Sequence, residues 1–179
     1  MVKYELSKIV YGTVKTETLE TDELVIVGEL RTTRIKARKL VVIGVTHIQL
    51  AATVGKILLV GGGKVANIIS RKAILVSRTG LTIDNLASIE TICVGIERPV
   101  FIKSLWTSKA YLKKTLIGIL KAKEVYIHEN TSIKELIDCV ALNLLDPHHW
   151  IEELRCTPLK TVFSYSVSQP PSSPQQSSL

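Results

Sequence analysis

The chain has 179 residues and a formal net charge of +7, with 46% hydrophobic residues but only 5% aromatic. That length fits one domain with a continuous core plus a tail, and so few aromatics leave little material for the stacked rings that hold carbohydrate or single-stranded nucleic acid. No stretch of about 18 uncharged apolar residues exists to cross a membrane as a helix, and Met1-Val2-Lys3-Tyr4-Glu5 lacks the apolar centre of a signal peptide, so a cytoplasmic location is expected.

The first element is an edge strand, Ile9-Val10-Tyr11, leading into Gly12. Lys3 and Lys8 beside it would discourage unwanted pairing of that edge. From Gly12 the chain repeats. Leu24-Val25-Ile26-Val27-Gly28 is followed by Leu40-Val41-Val42-Ile43-Gly44, Ile57-Leu58-Leu59-Val60-Gly61, Ile74-Leu75-Val76-Ser77 and Ile92-Cys93-Val94-Gly95. First residues recur at 16 to 18 positions, too short for a helix pair and suited to one turn of a β-solenoid.

Two further apolar series share the period: Val14, Leu30, Val45, Val65, Leu81 and Val100, and Leu19, Ile35, Leu50, Ile69, Leu86 and Leu105. Three apolar positions per turn imply three short faces. Strand alternation puts Leu24, Leu40, Ile57, Ile74 and Ile92 in one interior ladder, with Leu59 inside and Thr32 outside. The expected fold is all-β, a single-stranded right-handed parallel β-helix of about six to seven turns over residues 1–130.

At Asn130-Thr131-Ser132 the pattern changes. Ile133, Leu136, Ile137, Val140, Ala141 and Leu144 recur at helical spacing, with a capping hydroxyl before them and Asp146-Pro147 after. A second short helix is expected from Pro147, packing Trp150, Ile151 and Leu154. Residues 131–163 are therefore predicted as a helical cap on the solenoid, and 164–179, rich in Ser, Pro and Gln, as a disordered tail. With the C-terminal end capped, the N-terminal edge Ile9, Val10 and Tyr11 is the expected self-association surface, and a two-fold dimer its simplest product.

The charge is uneven: residues 29–78 hold ten Lys or Arg against one acid, Glu29. Stacking of equivalent positions would align Arg38, Lys39, Lys56, Arg71 and Lys72 as a basic ridge able to hold an anionic membrane surface or an acidic protein. Nucleic acid is disfavoured by the lack of interleaved aromatics.

No catalytic constellation emerges. His148-His149 has no spaced partner to complete a metal site, and Gly61-Gly62-Gly63-Lys64 lacks the phosphate-loop spacing and reads as a corner with positive φ. Glu20, Asp22 and Glu23, like Glu152-Glu153, face solvent rather than a cleft. Three cysteines (Cys93, Cys139, Cys156), odd in number and widely spaced, fit neither a disulfide framework nor a CxxC site, and Cys139 reads as core. No cofactor or metal is expected, and the chain is expected not to be an enzyme.

The blocks closing at Gly28, Gly44, Gly61 and Gly95, with the tail after Ser164, resemble the bactofilins, polymer-forming cytoskeletal β-helix proteins. The resemblance implies nucleotide-free assembly into filaments through solenoid ends, often at a membrane. Two other readings are a monomeric or dimeric β-helix binding module, like the C-terminal domain of the division inhibitor MinC, and a left-handed hexapeptide acyltransferase. Strict six-residue spacing fails between Leu24 and Leu40, which counts against the last.

Overall fold

The structure, a computed structural model, describes residues 2–4 and 8–164. It is a parallel β-solenoid without a helix among the described residues. The strands are β1 (Val2–Tyr4), β2 (Lys8–Gly95), β3 (Val100–Lys113), β4 (Thr115–Ile127), β5 (Thr131–Ile137), β6 (Ala141–Leu144), β7 (His149–Arg155) and β8 (Lys160–Phe163). β2 runs unbroken for 88 residues because it winds through several coils whose corners keep their ladder pairing.

One coil shows the construction. In β3, Val100 and Ile102, then Leu105 and Thr107, then Ala110 and Leu112 point inward, and the outward pairs Lys103-Ser104 and Ser108-Lys109 mark the corners. Three short faces result, as the three apolar series require. Registers confirm the stacking: Val100 pairs with Leu81 before it and Thr115 after it, Leu105 with Leu86 and Leu120, and Ala110 with Thr91 and Val125. Coil length varies at the corners. The bend at Ile96-Glu97-Arg98-Pro99 takes up extra residues in the coil before β3, where Pro99, which has no N–H to donate, interrupts no ladder and accepts a 3.1 Å hydrogen bond from Ser77 Oγ.

The interior ladder of the third face departs from the expected one. Leu24, Leu40 and Ile57 are buried as predicted, but Ile74 and Ile92 face outward, and Ala73, Leu75, Thr91 and Cys93 take the inside. The reason lies in the closing corner. Counting back two and four residues from Gly28, Gly44, Gly61, Ser77 and Gly95 reaches the inward pair every time, and the last two blocks start one residue later. The corner sets the phase, because Gly28, Gly44 and Gly61 stack backbone on backbone. A one-residue slip reverses every side chain.

Similar slips correct three other positions. Val45, Leu50 and Ile69 are exposed, and Thr46, Ala52 and Ile68 fill the interior instead. Thr32, expected outside, is only 4% exposed. Its hydroxyl donates to the carbonyl oxygens of Glu17 and Arg34, at 3.2 and 3.0 Å, which makes an inward threonine tolerable.

The helical cap is the largest correction. Residues 131–163 form β5 to β8, and the coil continues: Ile117 pairs with Ile133, Ile133 with Ile151, Val125 with Leu142 and Leu142 with Thr161. Inward residues are two apart within a strand and three apart across a corner. Ile133, Leu136, Cys139, Leu142 and Leu144 are therefore buried on successive faces, whereas Ile137, Val140 and Ala141, which the helical spacing grouped with them, are not. Asn130 and Asp138, at φ of 54° and 57°, are corners, not caps of a helix. The tail beyond Ser164 lies outside the described residues.

Candidate functional site

Three surfaces could meet a partner. The first is the corner before the third face, which carries Arg38, Lys39, Lys56, Arg71 and Lys72 of the expected ridge. A Cβ at Gly55 would lie 2.6 Å from the Arg38 carbonyl oxygen, so Lys56 stands one coil beyond Arg38-Lys39. Carboxylates close the ridge at both ends. Arg38 donates to Asp22 (2.8 Å) and to Glu23, Lys39 lies 3.9 Å from Glu23, and Lys72 lies 3.0 Å from Glu90. The Arg38 guanidinium holds the Asp22 carboxyl below its usual range. Lys56 and Arg71 have no ion pair among the described residues. Farther along this corner Glu90 registers with Lys109 and Lys109 with Glu124. Lys109 sits 3.2 Å from Glu124 and over the stacked rings of Tyr111 and Tyr126, whose centroids are 4.6 Å apart. The Tyr126 hydroxyl donates to Glu124 at 2.5 Å and, with Lys109, keeps that carboxyl low. Signs therefore alternate along the corner only beyond Lys72, from Glu90 to Lys109 to Glu124.

The second surface escaped the sequence reading. On the third face the outward residues are aliphatic too: Val25, Val41, Leu58, Ile74 and Ile92 in one column, Val27, Ile43, Val60, Val76 and Val94 in the other. All are partly exposed, Ile43 by 46%. The signal was present in the uninterrupted blocks, because a strand apolar at every position is apolar on both sides. Nothing among the described residues covers this strip.

The third surface is the pair of coil ends. Val10 packs against the core while Ile9 and Tyr11 point outward from the first strand of the third face. At the other end Leu154 continues the ladder of Leu136, yet Leu154 is 46% exposed where Leu136 is 0%. Leu159 and Trp150 are also exposed there. The expected cap over this end is absent from the described residues, and Trp150 points outward from β7.

The charged and histidine side chains of the described residues lie at corners and on open surface. A groove of about 1030 Å³ opens over the first face, where His47 lies among Lys15, Arg31 and Lys64. Arg31 is held 2.5 Å from Glu29, and Lys64 lies 4.0 Å from Asp84. His148 and His149 serve a corner: Asp146 bonds the backbone N–H and ring of His148, at 2.7 and 3.0 Å, and its carbonyl lies 2.6 Å from His149 Nδ1. The His148 N–H bond holds the Asp146 carboxyl low. Gly61 and Gly63 adopt positive φ at their corner as expected. Among the described residues no three His, Cys, Asp or Glu side chains could hold a metal ion together. Cys93, Cys139 and Cys156 are free thiols, and burial pushes the first far up in pKa and Cys139 up to about 12. Comparison with family models, curated proteins and solved structures found no match for this chain.

Proposed function

We propose that this chain is a non-enzymatic structural scaffold that self-associates through its solenoid ends, in the manner of a bactofilin-like cytoskeletal protein of the cytoplasm. The observation that carries the reading is the uncovered last coil: Leu154 lies in the Leu86, Leu105, Leu120, Leu136 ladder with nothing above it among the described residues. The first coil offers Val10 and Val14 at the opposite end, partly buried and packed against the core. An apolar cross-section edged by unpaired backbone groups is a template for another strand. Two unlike ends of one rod make a heterologous contact, which repeats without closing, so filaments follow in place of a two-fold dimer.

Sedimentation velocity over a range of concentrations tests this. Wild type should grow in steps of one chain, and Leu154→Asp or Val10→Pro should shorten the species while circular dichroism stays unchanged. Growth unaffected by both substitutions would sink the end-to-end reading.

One observation favours a second reading, a module that holds an anionic surface or acidic protein on its basic ridge: Lys56 and Arg71 lack ion-pair partners among the described residues. Loss of binding to anionic vesicles on Lys56→Glu with Arg71→Glu, with no change in self-association, would move the function there.

A further inference from the structure

We propose that the outer aliphatic strip on the third face is a lateral interface between two copies of this chain, with the two rods running in the same direction. The contact is separate from the end-to-end one and rests on different residues.

Composition is the first support. The five segments 24–28, 40–44, 57–61, 73–77 and 91–95 hold no charged residue. Their outward side has the Val, Leu and Ile make-up of the interior, which is how the interface of a permanent homodimer looks, a core divided in two. Size is the second. Five coils at about 4.8 Å and strands of about five residues at about 3.3 Å give a strip of about 24 by 16 Å, or about 400 Å². That is the size of the largest apolar patch on a typical monomer, which is often a functional surface. It supplies about half of the roughly 800 Å² that each partner contributes to a standard interface, and the Tyr111-Tyr126 stack at one end and the ridge along one edge form the start of a polar rim around it.

Charge decides between a second copy and an anionic bilayer. Arg38, Lys39 and Lys72 on the adjoining ridge are already paired with Asp22, Glu23 and Glu90. With only Lys56 and Arg71 left unpaired among the described residues, the ridge attracts lipid headgroups less than five free cations would, yet keeps the rim of a protein interface soluble. Charge also sets direction. Antiparallel rods centred on Leu58 would bring Arg38-Lys39 of one copy over Arg71-Lys72 of the other and Lys56 over its own counterpart, like against like. Parallel rods related by a two-fold axis along the coil place the ridge over the opposite corner of the same coil, at Gly44 and Gly61-Gly62. At those two coils the corner has no side chains to obstruct the long Arg38, Lys39 and Lys56, and in the coil of Arg71-Lys72 it holds Arg78, whose charge Glu97 pairs at 2.8 Å. Sheets facing each other in this way pack about 10 Å apart.

The test uses the full chain carrying Leu154→Asp, so that elongation does not obscure pairing. Sedimentation equilibrium should give twice the chain mass. Adding Ile43→Lys and Val76→Lys, both outward, should weaken pairing at least about 100-fold with the thermal midpoint unchanged. In a Cys156→Ser background, Val25→Cys, Leu58→Cys and Ile92→Cys should each cross-link to their own copy with a short bis-maleimide, since parallel rods keep every coil beside itself. Cross-linking of Val25→Cys only when mixed with Ile92→Cys would overturn the direction. A single-chain mass before the lysine substitutions would overturn the interface. So would a strip needed only for co-sedimentation with phosphatidylglycerol vesicles, which assigns it to lipid. If Leu154→Asp leaves growth intact, the end-to-end reading fails, whereas the cross-linking pattern still judges the lateral one.

Discussion

Replacing Gly44 by alanine isolates the force that holds the coils in phase. Gly44 has φ +136°, and an added Cβ would sit 1.9 Å from the carbonyl oxygen of Gly28 in the coil before it. Gly12 has φ +104° but would meet nothing within 4 Å. Both substitutions incur backbone strain of about 1–3 kcal/mol, because an L side chain rarely adopts such a conformation. Only Gly44→Ala must also push two backbones apart, an overpacking cost of about 1–3 kcal/mol more. The sum, about 2–6 kcal/mol, is a large share of the roughly 5–15 kcal/mol that keeps a domain folded. For a chain of this size the difference between the variants corresponds to about 2–12 °C in melting temperature. Thermal unfolding followed by circular dichroism at 218 nm, a wavelength for β structure, reads both. Equal shifts for Gly12→Ala and Gly44→Ala would show that backbone stacking at this corner does not set coil spacing.

Leu59→Asp, which buries an unpaired charge, should cost several kcal/mol and unfold the middle of the rod, whereas Thr53→Asp on the exposed side should move the urea midpoint little. Stability should fall above about pH 8.5: the unfolded chain then releases its thiol protons, while Cys93 and Cys139, whose pKa values burial raises, keep theirs in the fold. The native state binds more protons there, so the slope is negative, about 1.4 kcal/mol per pH unit for each thiol, and Cys93→Ala should flatten it by about that much in urea titrations at stepped pH. Thiol labelling of the native chain at pH 8 should modify Cys156, half-buried near the open end, well before Cys93, and simultaneous labelling of both would contradict the burial pattern.

Architecture was readable because closing glycines recur with the coil, and stacked coils need the same backbone at the same corner. Phase was harder. A block begins wherever aliphatics happen to begin, so Ile74 and Ile92 look equivalent to Leu24, although the corner behind them places Leu75 and Cys93 inside. The false helix at 133–144 came from grouping Ile137, Val140 and Ala141, which are not buried, with the inward Ile133, Leu136 and Leu144 as if all faced one side. The ridge residues could be aligned from spacing alone, but their partners could not: Asp22 and Glu23 reach Arg38 only because one coil is 16 residues long at that corner. The aliphatic strip was visible in the blocks and was missed because an apolar residue was taken to mean an interior one, whereas these strands are apolar on both sides.

Electron cryomicroscopy of the concentrated full chain tests the central claim, that rods join end to end by continuing the coil. The account predicts filaments in which β8 of one chain, near Phe163, is followed by the first strand of the third face of the next, near Val10, with the spacing of about 4.8 Å unbroken across the joint. Discrete particles one rod long at every concentration, or filaments whose joints leave both ends exposed, would contradict it.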